Sequence, residues 1–353
     1  MLKNPKNRKR KILVTGGAGF IGVNLANRLL DNKNNQVIVY DNLSRKGVEN
    51  NLEFLLSRKD GNLKFVRGDV LDYKKLRETA KGCDEIYHLA AQVAVTKSVE
   101  DPVGDFKINA EGTLYTLEAA RKASPGAVFI FASTNKVYGE LLHLRLKKGR
   151  MRYSLQEKKN GISETENLDF HSPYGVSKGV ADQYVRDYHR IYGLKTVVFR
   201  QSCIYGEHQY GNEDQGWVAH FIIKSLLGSR LNIYGDGKQI RDLLEVSDLV
   251  RAYGLAAGKI EKSAGEIYNI GGGPDNTFSL LEFLSFLGKS LKMEIGYSFS
   301  EWRPGDQKVF ISDNSKLCRE LGWKPLISKK EGVEKLTGWI WNNINLIRKV
   351  HGK

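Results

Sequence analysis

The chain has 353 residues with 41% hydrophobic and 10% aromatic content, enough to bury a substantial core in one large domain or two coupled ones. Its three cysteines, Cys83, Cys203 and Cys318, show neither CxxC spacing nor even pairing, which argues against a disulfide or zinc framework and for a reducing compartment with no bound metal. No apolar leader opens the chain and no uncharged run nears the ~18 residues of a membrane helix, so the expected location is the cytoplasm, and the net charge of +15 suits an anionic partner.

Part of that charge sits in a basic arm, residues 1–10, with Lys3, Lys6, Arg8, Lys9 and Arg10. No aromatic-interleaved basic groove follows it, so nucleic acid is not the expected partner. Lys11 to Thr15 predicts the first strand. The turn Gly16-Gly17-Ala18-Gly19-Phe20-Ile21-Gly22 follows, then a helical pattern from Asn24 to Leu30. Gly16, Gly19 and Gly22 let backbone approach a pyrophosphate, and the helix start, with Phe20 and Ile21, offers N–H groups and partial positive charge. The second strand, Val37 to Tyr40, runs into Asp41 and Asn42. Asp41 stands nineteen residues past Gly22, where a carboxylate meets the adenosine ribose. That carboxylate repels a 2′-phosphate and favours NAD over NADP, although Arg45 and Lys46 close by keep NADP open.

Leu63 to Val66 predicts a third strand, and Asp69 and Val70 after it are placed to flank an adenine. The fourth, from Glu85, ends in Leu89, Ala90 and Ala91 at the cofactor; His88 within it reads as a packed residue. Pro102 to Ala123 predicts one long helix. Asn109 inside it is locally unfavourable, which signals a non-local role, here at the cofactor. Val128 to Ala132 is the fifth strand and delivers Ser133, Thr134, Asn135 and Lys136 at its end. Alternating strands and helices predict an α/β fold built on a doubly wound parallel sheet. Glu140 to Asn167 reads as a long charged loop, which in a compact domain is functional or mobile.

Ser172-Pro173-Tyr174-Gly175-Val176-Ser177-Lys178 opens a helix. Tyr174 and Lys178 fall four apart on one face. A phenol titrates near ~10, and bringing it toward neutrality with a neighbouring ammonium is worth roughly 4 kcal/mol of differential interaction. Lys195 to Arg200 is a further strand, Val218 to Leu227 a helix, and Ile233 to Gln239 a hairpin-like strand and turn. Val246 to Ala257 and Phe278 to Leu291 are helical, Glu266 to Ile270 returns to the main sheet, and Glu331 to Ile347 closes the chain as an amphipathic helix.

Gly16-x-x-Gly19-x-x-Gly22, Asp41, Thr134 and Tyr174-x-x-x-Lys178 together resemble the extended short-chain dehydrogenase/reductases. Ser133 to Gly139, Asp169 to Gly175, Asp214-Gln215-Gly216-Trp217 and Gly237 to Asp242 narrow the likeness to nucleotide-sugar epimerases of the CDP-paratose 2-epimerase type, from about Lys11 to about Trp341. The resemblance implies a Rossmann domain over 11–200, with 243–273 returning to it, and a smaller C-terminal α/β substrate domain over 201–242 and 274–353. It implies catalysis by Thr134, Tyr174 and Lys178. Tyr174 takes a hydroxyl proton, hydride passes to NAD and returns to the opposite face of a transient 2-keto sugar, and Lys178 also binds the nicotinamide ribose. Arg241 and Arg303 are expected to grip the diphosphate, with Asp306 orienting them and Asn135, Cys203, Gln209 and Gln215 touching substrate. Many relatives carry Asn where Cys203 stands. A dehydratase of this fold needs an acid pair after the threonine, and Asn135-Lys136 cannot supply it. The expected substrate is a CDP-hexose and the expected assembly a homodimer or homotetramer. Two alternatives stay open: a UDP-hexose type 4-epimerase, since the same triad serves either carbon, and a non-catalytic NAD- or RNA-binding protein of this fold.

Overall fold

Short, continuous apolar runs make the central strands, because both faces of a parallel sheet are covered by helices. The computed structural model describes residues 8–303 and 305–352; residues 1–7 of the basic arm, Lys3 and Lys6 included, lie outside them. The strands in chain order begin with β1 (Arg10–Thr15), β2 (Asn35–Asp41), β3 (Leu63–Arg67), β4 (Glu85–His88) and β5 (Val128–Thr134). Then come β6 (Leu146–Lys148), β7 (Tyr153–Leu155), β8 (Lys195–Gln201), β9 (Cys203–Tyr205), β10 (Leu231–Tyr234) and β11 (Ile240–Glu245). The last are β12 (Ile267–Ile270), β13 (Thr277–Ser279), β14 (Tyr297–Ser300) and β15 (Val309–Phe310).

Seven of them form one parallel sheet in the order β12-β8-β5-β4-β1-β2-β3. The order reverses beside β1, where Thr15 pairs with Tyr40 on one side and His88 on the other. Open α/β sheets bind ligands at such a reversal, beyond the strand C-termini. Ile12 and Val14 pack with the helices Phe20–Leu30 and Val246–Gly258 on one face. Leu13 packs on the other, with Gly112–Ala123 and Ser172–Tyr192. The sheet is therefore doubly wound, as expected.

A second core, built around Phe221, Phe283, Leu336 and Ile340, gathers the smaller sheets. Here two expectations fail. The stretch from Ile233 to Gln239 is no hairpin: β10 pairs with β14, while β11 pairs with β9, β13 and β15. Gly235 and Gly237, both at positive φ, turn the chain from one sheet into the other, and the Gln239 side chain, not a cross-strand amide, takes the Tyr234 carbonyl at 2.7 Å. The closing helix is two, Lys329–Asn342 and Ile344–His351, broken where Asn343 caps back onto Trp339 O at 2.8 Å.

The 140–167 segment is an ordered strap across both cores. Its β6–β7 hairpin is tied down by Tyr153, which donates its N–H to Lys238 O at 2.9 Å and its hydroxyl to Asp236 at 2.7 Å. Farther along, Ile162 N donates to Ile311 O at 2.7 Å. No helix among the described residues is long and apolar enough to cross a membrane.

Candidate active site

The glycine turn leaves no room for side chains. A Cβ on Gly22 would sit 2.2 Å from Gly16 O, and one on Gly16, whose φ is +66°, would sit 2.7 Å from Ala90 N. The helix Phe20–Leu30 therefore starts against the ends of β1 and β4, and no side chain caps its N-terminus. Uncapped N–H groups and backbone this close suit a pyrophosphate. At the end of β2 the Asp41 carboxylate accepts from Ala18 N at 3.0 Å and Leu43 N at 2.9 Å. Burial pushes its pKa up, and these bonds with Arg45 pull against it. Asn42 donates to Asp69 at 2.9 Å, and Val70 is buried against Gly112. Leu89 N donates to Thr15 O at 3.1 Å and brings Ala90 over the glycine turn. Ala91 follows at the strand end, partly buried.

The long helix from Pro102 is interrupted by a π-turn, Lys107–Glu111, centred on Asn109. Such bulges mark places where side chains are re-aimed. Asn109 accepts from Gln92 N at 2.9 Å and donates toward Gln92 O at 3.0 Å, Asp105 at 3.1 Å and Ser177 at 3.1 Å. Asp105 is buried and also takes Gln92 and Ser177. Sequence reasoning found Asn109 from its local misfit but not Gln92, Asp105 or Ser177, whose contacts are long-range.

This network reaches the helix that carries Tyr174 and Lys178 through Ser177. Helix Ser172–Tyr192 starts with Pro173 in its first turn, and Tyr174 N donates to the buried Ser98 Oγ at 3.1 Å. Burial pushes the phenol of Tyr174 up to about 12; the hydroxyl of Thr134, at the end of β5, lowers it, Asp105 raises it and Arg45 lowers it. Lys178 does not bond Tyr174. Its Nζ donates to Ala132 O at 2.6 Å and lies 4.2 Å from the centre of the Phe131 ring. Burial brings this ammonium down to about 7, against the pull of Asp182 and Asp105. Ser133 and Arg200 both bond Asp182, the latter through two bonds of 2.8 and 2.9 Å, which fastens the helix to β5 and β8. His88 sits between Thr15 at 2.8 Å and Thr113 at 3.0 Å, and burial keeps it neutral down to about 3, as befits a packed residue.

Beyond Thr134 a cleft of about 480 Å³ opens toward the second core. Lys136, Arg241, Arg303 and Asp306 share it with Gln215, Tyr234 and Leu280. Arg241 donates to Asp306 Oδ1 at 2.5 Å. Arg303 lies 3.9 Å from the Tyr234 ring centre and donates to Glu213 O at 3.0 Å. Gln215 accepts from Arg45, so the two sides of the cleft touch there. The buried Gln239 Oε1 and His220 Nδ1 on the cleft wall have no hydrogen-bond partner among the described residues. Unpaired polar atoms in a cleft are costly unless a ligand completes them. Asn135 accepts from Thr134 Oγ1 at 3.4 Å and donates to the buried Gln307 at 2.9 Å. Cys203 and Gln209 sit behind the wall: Cys203 is pushed up to about 12 by burial, and Gln209 bonds Ile204 O at 3.3 Å. His208 packs between Phe54 and Trp339, and burial takes it down to about 4. Among the described residues no cluster of His, Cys, Asp and Glu could hold a metal.

The glycine turn and Thr134 thus stand at the C-terminal ends of β1 and β5 in one sheet, and Lys136, two residues past Thr134, reaches into the cationic cleft. The chain is 43% identical to the CDP-paratose 2-epimerase of Salmonella typhi over 93% of its own length and 98% of that protein's. It resembles the solved UDP-glucuronic acid 4-epimerase of Bacillus cereus, in complex with UDP-glucuronic acid and NAD, at a TM-score of 0.82 and 30% identity, covering 94% of this chain and 99% of that one. It also resembles the dTDP-glucose 4,6-dehydratase of Streptomyces venezuelae with NAD bound, at a TM-score of 0.83 and 31% identity, covering 96% and 99%. The profile described as GDP-mannose 4,6 dehydratase matches residues 13–336, and the chain belongs to that family of extended short-chain dehydrogenase/reductases, enzymes of nucleotide-sugar chemistry.

Proposed function

We propose that the protein is an NAD-dependent nucleotide-sugar epimerase that inverts C2 of a CDP-hexose, converting CDP-paratose to CDP-tyvelose. The observation that carries the reading is the surroundings of Thr134. Tyr174 stands against it, while the next two side chains, Asn135 and Lys136, are an amide tied to Gln307 and an ammonium tied to Gly305 O. Neither is a carboxylic acid placed to expel water from the sugar, so oxidation and return at one carbon is the chemistry left to the site. The choice of C2 is supported by the likeness to the Salmonella 2-epimerase.

The glycine cradle, uncapped helix start and Asp41 fit NAD, with Gly16, Gly19, Phe20 and Ile21 at its pyrophosphate and Asp41 at its adenosine ribose. Bound there, NAD supplies reversible two-electron oxidation of the sugar carbon. Tyr174 takes the proton of the C2 hydroxyl and later returns it. Thr134 holds the same oxygen. Lys178, which donates to Ala132 O at 2.6 Å, would hold the nicotinamide ribose and lend the phenol its charge. Arg241 and Arg303 grip the diphosphate, so the nucleotide stays fixed while the 2-keto sugar presents its other face. Self-association as a homodimer or larger is part of the reading: Val103, Phe106, Tyr184 and Ile191 leave an exposed apolar face on the helices beside the site.

Tyr174→Phe tests the assignment. Turnover should fall at least about 10³-fold with NAD still bound, and near-normal activity sinks the reading. The competing reading, a 4-epimerase acting on a UDP-hexose, is supported by the likeness to the Bacillus cereus enzyme and differs in the carbon inverted.

A further inference from the structure

We propose that Lys136 is a third cation of the diphosphate site and holds the phosphate nearest the sugar; this rests on the nucleotide-sugar reading above. Lys136 stands two residues past Thr134 on the one-turn helix Asn135–Tyr138. That turn is pinned on both sides. Lys136 N donates to Thr134 Oγ1 at 3.2 Å, and Gly139 N closes onto Lys136 O at 3.2 Å. Gln307 clamps it from above, accepting from Asn135 at 2.9 Å and donating to Gly139 O at 2.5 Å. The backbone is fixed, and the side chain is delivered into the cleft.

There Nζ donates to Gly305 O at 3.2 Å and lies 3.8 Å from Asp306 Oδ1. The same carboxylate oxygen takes Arg241 at 2.5 Å. One carboxylate thus serves two cations, and Lys136 has the longer, weaker share. An ammonium has three donors, and a largely desolvated cation without full pairing is costly. Burial accordingly brings Lys136 down to about 8; Asp306 and Glu140 pull it up, Arg241 pushes it down, and Glu140 is itself drawn 3.4 Å from His171. A phosphate in this corner supplies the missing acceptors and charge. Lys136 sits between the reacting-oxygen end at Thr134 and the diphosphate end at Arg241, so the sugar-proximal phosphate falls to it. A long stem with rotatable donors also keeps that contact while the sugar reorients.

Calorimetric titration of CMP, CDP, UMP and UDP into the NAD-loaded enzyme tests this, with wild type, Lys136→Met and Lys136→Arg compared at pH 7 and 9.5. The methionine variant should weaken the tighter diphosphate by about tenfold or more and the matching monophosphate by less than about twofold, while the arginine variant stays within about threefold of wild type. Wild-type diphosphate binding should weaken as pH rises through 8, where the ammonium loses its proton, and the arginine variant should not follow. Equal losses for mono- and diphosphate overturn the proposal, since a merely deformed cleft would treat both alike. Undiminished diphosphate binding in Lys136→Met overturns it as well and leaves the nucleotide-sugar reading standing. Failure of wild type to bind any of the four removes both.

Discussion

Lys178 gives its ammonium to the Ala132 carbonyl at 2.6 Å, one helical turn from Tyr174, whose phenol it does not bond. The site therefore holds a buried cation one helical turn from an un-ionised phenol. Such a cation costs stability. Lys178 titrates near 7 in the fold, below the ordinary lysine value, so the unfolded chain holds the proton more tightly between those limits. Below pH 7 the folded state bears the whole cost, at most about 5 kcal/mol, and the cost fades as pH rises toward ~10.5. Lys178→Met should raise the melting temperature by about 5 °C at pH 6 and by almost nothing at pH 10.5, read by thermal unfolding without ligands. A difference that does not change with pH would contradict this origin.

The Thr134 hydroxyl favours ionisation of the Tyr174 phenol against the effect of burial. Thr134→Val removes that hydroxyl and leaves the phenol harder to ionise. The acid limb of the pH–rate profile should move to higher pH, and kcat should drop by about 10- to 100-fold with KM little changed. A fall in kcat with no movement of the limb would assign Thr134 a positioning role alone.

Asp41 accepts from Ala18 N and Leu43 N, which aims its carboxylate over the glycine turn. Asp41→Ala should weaken NAD by about tenfold and narrow or erase the preference over NADP, since the repelling charge is gone while Arg45 remains. Fluorescence titration with both dinucleotides decides it; unchanged discrimination would place the selectivity elsewhere.

Asn109 and Ser177 join at 3.1 Å over the buried Asp105 carboxylate. Asn109→Ala and Ser177→Ala should each cost about 1–3 kcal/mol in urea unfolding, because each leaves that carboxylate short of a donor. The double variant should lose less than the sum by at least about 0.5 kcal/mol. Strict additivity would mean the two side chains stabilise the fold separately.

The parallel sheet was readable because its strands are short apolar runs, and the glycine turn because its spacing is local. Helices Val48–Ser57 and Tyr73–Ala80 escaped the reading: the second buries only Leu76 and Ala80, too few to show a period. The strap of residues 140–167 looked irregular because strands of three residues hold only through partners on the second core, such as Asp236 for Tyr153. In the site, Thr134 and Tyr174 stood out by type and spacing, and Arg241 through the family likeness. Lys136 was read only as a side chain that is no acid, because its cleft contacts depend on Gly305 and Asp306, far along the chain. The Lys178 contact was hidden for a like reason: a backbone carbonyl on β5 has no signature in the side-chain pattern.

The most direct test of the central claim is NMR of the product formed from CDP-paratose by the NAD-loaded enzyme in heavy water. The account predicts CDP-tyvelose, inverted at C2, with no deuterium at that carbon, because the hydrogen leaves and returns within the closed site. Inversion at C4, loss of water from the sugar, or deuterium at C2 would contradict it.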